Sequence, residues 1–178
     1  MRSSVLLAAA TLVLAVPSLA AAPAFEPPKR KSGMWETTMQ LKSRPGAGMT
    51  MKQCIDQKSD DLMRSQAREA QADMDKQCSK RDWKQVASGY EFESICTFAG
   101  TTHTSKGRIT GSMDTSYKMV MDTQYEPPMQ GMSTNHMEVE AKWAGACPVD
   151  MRPGDVIMPG GARMNVEDMK GMRRPPQK

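Results

Sequence analysis

Few residue types in this chain can carry chemistry. There are two histidines, His103 and His136, four cysteines, Cys54, Cys78, Cys96 and Cys147, and 18 methionines, far above ordinary usage. A histidine general base needs a reacting group fixed within hydrogen-bond reach. His103 lies in a polar threonine run and His136 on the outward side of a strand pattern, so both read as surface imidazoles. The pairs Glu91/Glu93 and Glu138/Glu140 each share one strand face and do not oppose one another across a cleft, as a glycosidase acid and base would. Nucleophile-elbow, phosphate-loop, dinucleotide and His-Glu-x-x-His patterns are missing from the sequence. The chain therefore reads as non-enzymatic, with no catalytic residues and no cofactor.

The methionines offer a second chemistry. Thioethers are soft donors that select Cu(I). Met49-x-Met51 and Met129-x-x-Met132 are candidate Cu(I) ligands, with further methionines from Met151 to Met172. The competing reading is packing, because methionine is an adaptable filler where Leu and Phe are scarce. On that reading Met39, Met119, Met121 and Met137 simply face a core, and the chain holds no metal.

The cysteines are read through the N-terminus. Residues 1 to about 20 carry Arg2, an uncharged apolar run from Val5 to Val16, and small residues before Ala20, the pattern of a cleaved secretory signal. The run is too short to span a bilayer, and no later segment is apolar enough to do so. Cleavage after Ala20 delivers a soluble mature protein to the periplasm, where disulfides persist. Four cysteines without Cys-x-x-Cys spacing then form two bridges out of three possible pairings. Cys78 with Cys96 closes a local hairpin, which leaves Cys54 with Cys147. A two-residue Ser88-Gly89 turn would set Arg81, not Cys78, opposite Cys96, so the pairing requires Cys78 to precede the ladder or a bulge to intervene.

The elements that must position these residues are mostly strands. Residues 21–32 are Pro- and Ala-rich, then basic, and read as a flexible leader. From Gly33 to Leu41 apolar and polar residues alternate, placing Trp35 and Met39 on a buried face. A glycine-rich turn leads to a return strand, Thr50 to Ile55. Residues 56–76 contain no Gly or Pro and space Leu62, Met63, Ala67, Ala70 and Met74 as one weak helical stripe, which predicts a helix on the protein's edge. After the 78–96 hairpin come a polar strand from Thr101 to Thr110, a strand with Tyr117, Met119, Met121, Thr123 and Tyr125 on one face, and a last strand from Ser133 to Trp143. Glu126-Pro127-Pro128 should end the middle one. Residues 149–178 lack periodicity and read as a disordered Met-, Pro- and Gly-rich tail.

The order of these features resembles a known family. Gly33-Met34-Trp35-Glu36 after a signal segment, Gln53-Cys54-Ile55 entering a helix, Cys78 and Cys96 bracketing a hairpin, and Lys142-Trp143-Ala144-Gly145-Ala146-Cys147 after methionine-rich strands are similar to the exported bacterial family catalogued as domain of unknown function 3617. Ser32 stands where that family usually has a proline before its Gly-Met-Trp-Glu start. The resemblance implies a secreted, mostly β protein with no assigned activity and no catalytic residues to carry over.

The expected architecture is thus mainly β: one domain over residues 33–148, a single antiparallel meander sheet of about six or seven strands curling toward an open barrel or half-barrel, with one edge helix. Such a sheet could enclose a pocket lined by Trp35, Met39, Phe92, Met121 and Trp143, or fill that space completely. Charge excludes one partner class. The excess of Lys and Arg over Asp and Glu is four and the signs are interspersed, so no nucleic-acid face is expected. The expected partners are an envelope protein or a small hydrophobic ligand.

Overall fold

The computed structural model of the protein describes residues 28–42, 46 and 48–171. The expected signal segment and part of the leader lie outside these residues. Nine strands form one open antiparallel sheet: β1 (Gly33–Leu41), β2 (Met49–Ile55), β3 (Cys78–Val86), β4 (Gly89–Phe98), β5 (Thr101–Ser112), β6 (Ser116–Met129), β7 (Met132–Gly145), β8 (Asp155–Ile157) and β9 (Arg163–Asn165). Their order is β3-β4-β5-β6-β7-β1-β2-β8-β9. One helix, α1 (Gln57–Asp75), joins β2 to β3.

The predicted helix is there because its start is well capped. The Asp56 carboxylate accepts from the Ser59 amide at 2.8 Å and the Ser59 hydroxyl accepts from the Asp56 amide at 2.9 Å, which satisfies two otherwise orphaned donors. Its first half packs on the sheet: Ser59 and Asp60 are buried, and Met63 touches the cluster of Trp35, Ile55 and Ala141. Its second half does not, since residues 67–70 and 72–76 are all exposed. The predicted apolar stripe therefore works only at Leu62 and Met63. A 19-residue helix is about 28 Å long, close to the width of six strand spacings at about 4.8 Å. It thus reaches from β2 to β3, its nearest backbone neighbours, while Met63 touches β1 and β7 between them.

The hairpin keeps its predicted cystine with a shifted register. Val86 pairs with Gly89, so the turn is Ala87-Ser88 and not Ser88-Gly89. Gly89 instead lies on the strand at φ 142°, where an added Cβ would collide with the Ile109 carbonyl oxygen of β5. That close approach, invisible in the hairpin's own sequence, sets the register. A bulge between Cys78 and Lys80 then brings Cys78 opposite Cys96, as the pairing required. The cystines are Cys78–Cys96 and Cys54–Cys147.

Three further expectations are corrected. Glu126-Pro127-Pro128 does not end β6, because Pro127 and Pro128 fall beyond the last β5 pair, Thr102 with Glu126, and inside the gap in the β7 ladder between Gln124 and Met129, where no ladder N–H is required. Residues 28–32, expected to be flexible, are tied down: Arg30 pairs with buried Asp60 at 2.8 Å, the Lys31 amide donates to the Met113 carbonyl, and the indole N–H groups of Trp35 and Trp143 donate to the carbonyls of Lys31 and Ser32. The disordered tail does not hold for residues 149–171, which add β8 and β9 to the β2 edge. Met151 packs on Cys54 beside the Cys54–Cys147 bridge, and the Gly154 amide donates to the Cys54 carbonyl at 2.8 Å. Strands of three residues are too short to show a period.

Candidate functional site

The register divides the sheet into two chemically distinct faces. One carries Glu36, Lys52, Lys106, Lys118, Asp122, Glu138, Glu140 and Lys142, opposite charges set beside one another across strands. Lys118 meets Glu138 at 2.6 Å, and Glu93 meets Lys80 at 2.6 Å and Lys106 at 3.3 Å. Hydrogen bonds from Lys80 and then Lys106 hold the Glu93 carboxyl below its ordinary range. A hollow of about 560 Å³ on this face, among Asp82, Glu93 and Lys106, is therefore the floor of an ion-pair lattice.

His136 belongs to the same lattice. Its Nδ1 lies 2.6 Å from Asp122 and its Nε2 3.2 Å from Glu138, which raises its pKa, Asp122 contributing most. A histidine held between two carboxylates favours the imidazolium and is a poor base. His103 lies on the other face, edge-on to Phe98 and Tyr125. Among the described residues no set of three His, Cys, Asp or Glu could hold a metal.

The second face, which carries Trp35, is apolar and arranged in rows across the strands. Trp83, Phe92, Gly107, Met121, Met137 and Leu41 form one row by successive pairing. Tyr90, Ile109, Met119, Val139, Met39 and Met49 form the next. The Phe92 ring lies over Gly107, where an added Cβ would meet it. Apart from buried Val139 and exposed Met49, these residues are half-buried. Where this face meets residues 28–29 and the β3–β4 and β5–β6 turns, there is an open groove of about 540 Å³. Its lining includes Tyr90, Ile109, Val86 and Met113, with Lys29 and Asp114.

The five residues predicted to line a pocket share this face but not one cavity. Trp35 is 0% exposed and packs against Ile55, Ala141, Met63 and Tyr117. Trp143 lies beneath the Lys31 ammonium, 3.7 Å from the ring centroid. Met39, Phe92 and Met121 sit in the two apolar rows. The candidate copper ligands also separate: Met129 and Met132 pair beside the β6–β7 turn, whereas Met49 and Met51 lie on β2 opposite Met39 and Thr37. The Thr37 hydroxyl is buried without a hydrogen-bond partner among the described residues. Sequence reasoning missed the Tyr90–Ile109 groove. The alternation of β4 and β5 contains its floor, but its wall comes from residues 28–29.

A mainly β protein with one open antiparallel sheet, two cystines and a single bridging helix is the class these features define. Within that class, the chain belongs to the family described as "Protein of unknown function (DUF3617)", whose profile matches residues 30–147. No curated protein and no solved structure matches it. The family match ends at Cys147, so β8 and β9 lie beyond the matched region. No helix among the described residues is long and apolar enough to cross a membrane.

Proposed function

We propose that this is a non-enzymatic binding module of the periplasm, and that it takes a small hydrophobic ligand on the Trp35 face. One observation carries the reading: two rows of apolar side chains on the Trp35 face stay mostly half-buried, and an open groove lies where one of them reaches the β3–β4 turn. The Tyr90–Ile109 groove, about 540 Å³, falls within the range of small-molecule sites and has an apolar floor with a charged rim. Two cystines fit an oxidising compartment. The test is native mass spectrometry of protein purified from the periplasm of its own host. The expected result is an added mass that extracts into organic solvent and is lost in a folded Ile109→Arg variant. A bare mass for the wild type, or a ligand retained by the variant, would sink the reading.

A further inference from the structure

The methionines of β1, β2 and β7 remain unexplained by a ligand in the Tyr90 groove. Met39 on β1 lies directly opposite Met49 on β2. Direct cross-strand partners have Cβ atoms about 4.5–5.5 Å apart. Met51 opposes Thr37 and Met137 opposes Leu41, the residues two before and two after Met39, so both are its diagonal neighbours on the same face. Diagonal neighbours are about 7–8 Å apart, within reach of a side chain with three rotatable bonds. Three thioethers, those of Met39, Met49 and Met51, therefore share one patch of the β1–β2 pair, with Met137 on the far side of Met39. Met49 is 44% exposed, which leaves that patch open to solvent, where purely structural methionines would be covered.

We propose that Met39, Met49 and Met51, flanked by Met137, form a site for Cu(I). The donor chemistry selects the ion. Thioethers are soft and uncharged, and they suit a soft monovalent cation better than Zn(II), Mg(II) or Ca(II). All four cysteines are locked in cystines, so no thiolate competes for the metal. No cluster of three harder donors is present among the described residues. The alternation Met49-Thr50-Met51 puts both β2 thioethers on one face. Met129 and Met132, by contrast, form a pair to which the register adds no third methionine. This site is distinct from the groove, since it lies at the β1–β2 end of the row whose β4–β5 end floors the groove, and it uses other donors.

The test titrates the oxidised protein with Cu(I), kept reduced by ascorbate, against a chromogenic Cu(I) chelator. One equivalent should be withheld from the probe with a dissociation constant below about 1 μM. Met39→Leu/Met49→Leu should weaken retention by more than the roughly 10- to 100-fold that even an outer-shell partner is worth. Met129→Leu/Met132→Leu should retain the metal like the wild type. Met-to-Leu exchange keeps volume, so the variants should fold, which far-UV circular dichroism checks. If the double variant does not fold, exposed Met49→Leu alone replaces it. X-ray absorption at the copper edge should show sulfur neighbours. No competition by the wild type, retention unchanged on removal of Met49, or an oxygen- and nitrogen-ligated spectrum would each overturn the assignment.

Discussion

His136 shows what one residue's surroundings add to its sequence. Alternation along β7 puts it on the outward face, but only the β6–β7 register brings Asp122 against its Nδ1. Its pKa is raised from 6.5 by Asp122 and then by Glu138. A raised value means that the stabilisation is fully present below the unfolded histidine's pKa and disappears as pH rises through the folded one. We expect nuclear magnetic resonance titration to place the His136 midpoint above 6.5, and Asp122→Asn to bring it down. Equal midpoints in the two proteins would show that the 2.6 Å contact does not form in solution.

Among the elements, α1 and the β8–β9 hairpin differ in how far sequence reveals them. Asp56 and the uninterrupted run after it announce the helix, and the boundaries fall within about two residues of those expected. The C-terminal hairpin has no such signal because its stability is tertiary. Buried Asp155 accepts from the Asn165 amide group at 2.8 Å and from the Arg152 backbone amide at 3.0 Å. Burial pushes the Asp155 carboxyl up, but the hydrogen bonds from Asn165 and Arg152 and the nearby guanidinium groups of Arg152 and Arg163 outweigh it, so the pKa falls below 3.8. With a lowered pKa, the stabilisation is present above the ordinary carboxylate range and is lost as pH falls through the folded value. Asp155→Ala should cost about 1–3 kcal/mol locally by stranding two donors. Hydrogen exchange followed by mass spectrometry should show residues 155–165 losing protection while β5 and β6 keep theirs. Unchanged protection of that hairpin would contradict this account.

For the whole molecule, the thin core makes the cystines decisive. Only ten apolar residues are buried among those described, and two of them are Cys54 and Cys96. Loop-closure entropy assigns about 3 kcal/mol to the Cys78–Cys96 bridge and between about 4 and 5 kcal/mol to Cys54–Cys147, whose sequence separation is 93. Cys54→Ser/Cys147→Ser should therefore lower the denaturation free energy more than Cys78→Ser/Cys96→Ser, as measured by urea unfolding of each. The longer bridge also holds the chain beside Met151, so its loss should loosen β8 and β9 as well. The reverse order of the two variants would mean that residual structure in the unfolded chain, not loop length, dominates.

Local periodicity, a helix cap and one short loop already mark β1 to β7, their faces, the helix and the Cys78–Cys96 bridge in the sequence, and elimination leaves Cys54 for Cys147. The sequence also singled out methionine as the unusual donor and placed Trp35 on the buried side. Contacts between distant segments settle which rows meet: that Met39 faces Met49, that Gly89 belongs to a strand, that residues 28–32 and 149–171 are anchored, and that two apolar rows stay mostly half-buried. Cross-strand register and the path of a helix depend on contacts between residues distant in the chain, and those contacts leave no period in the sequence between them.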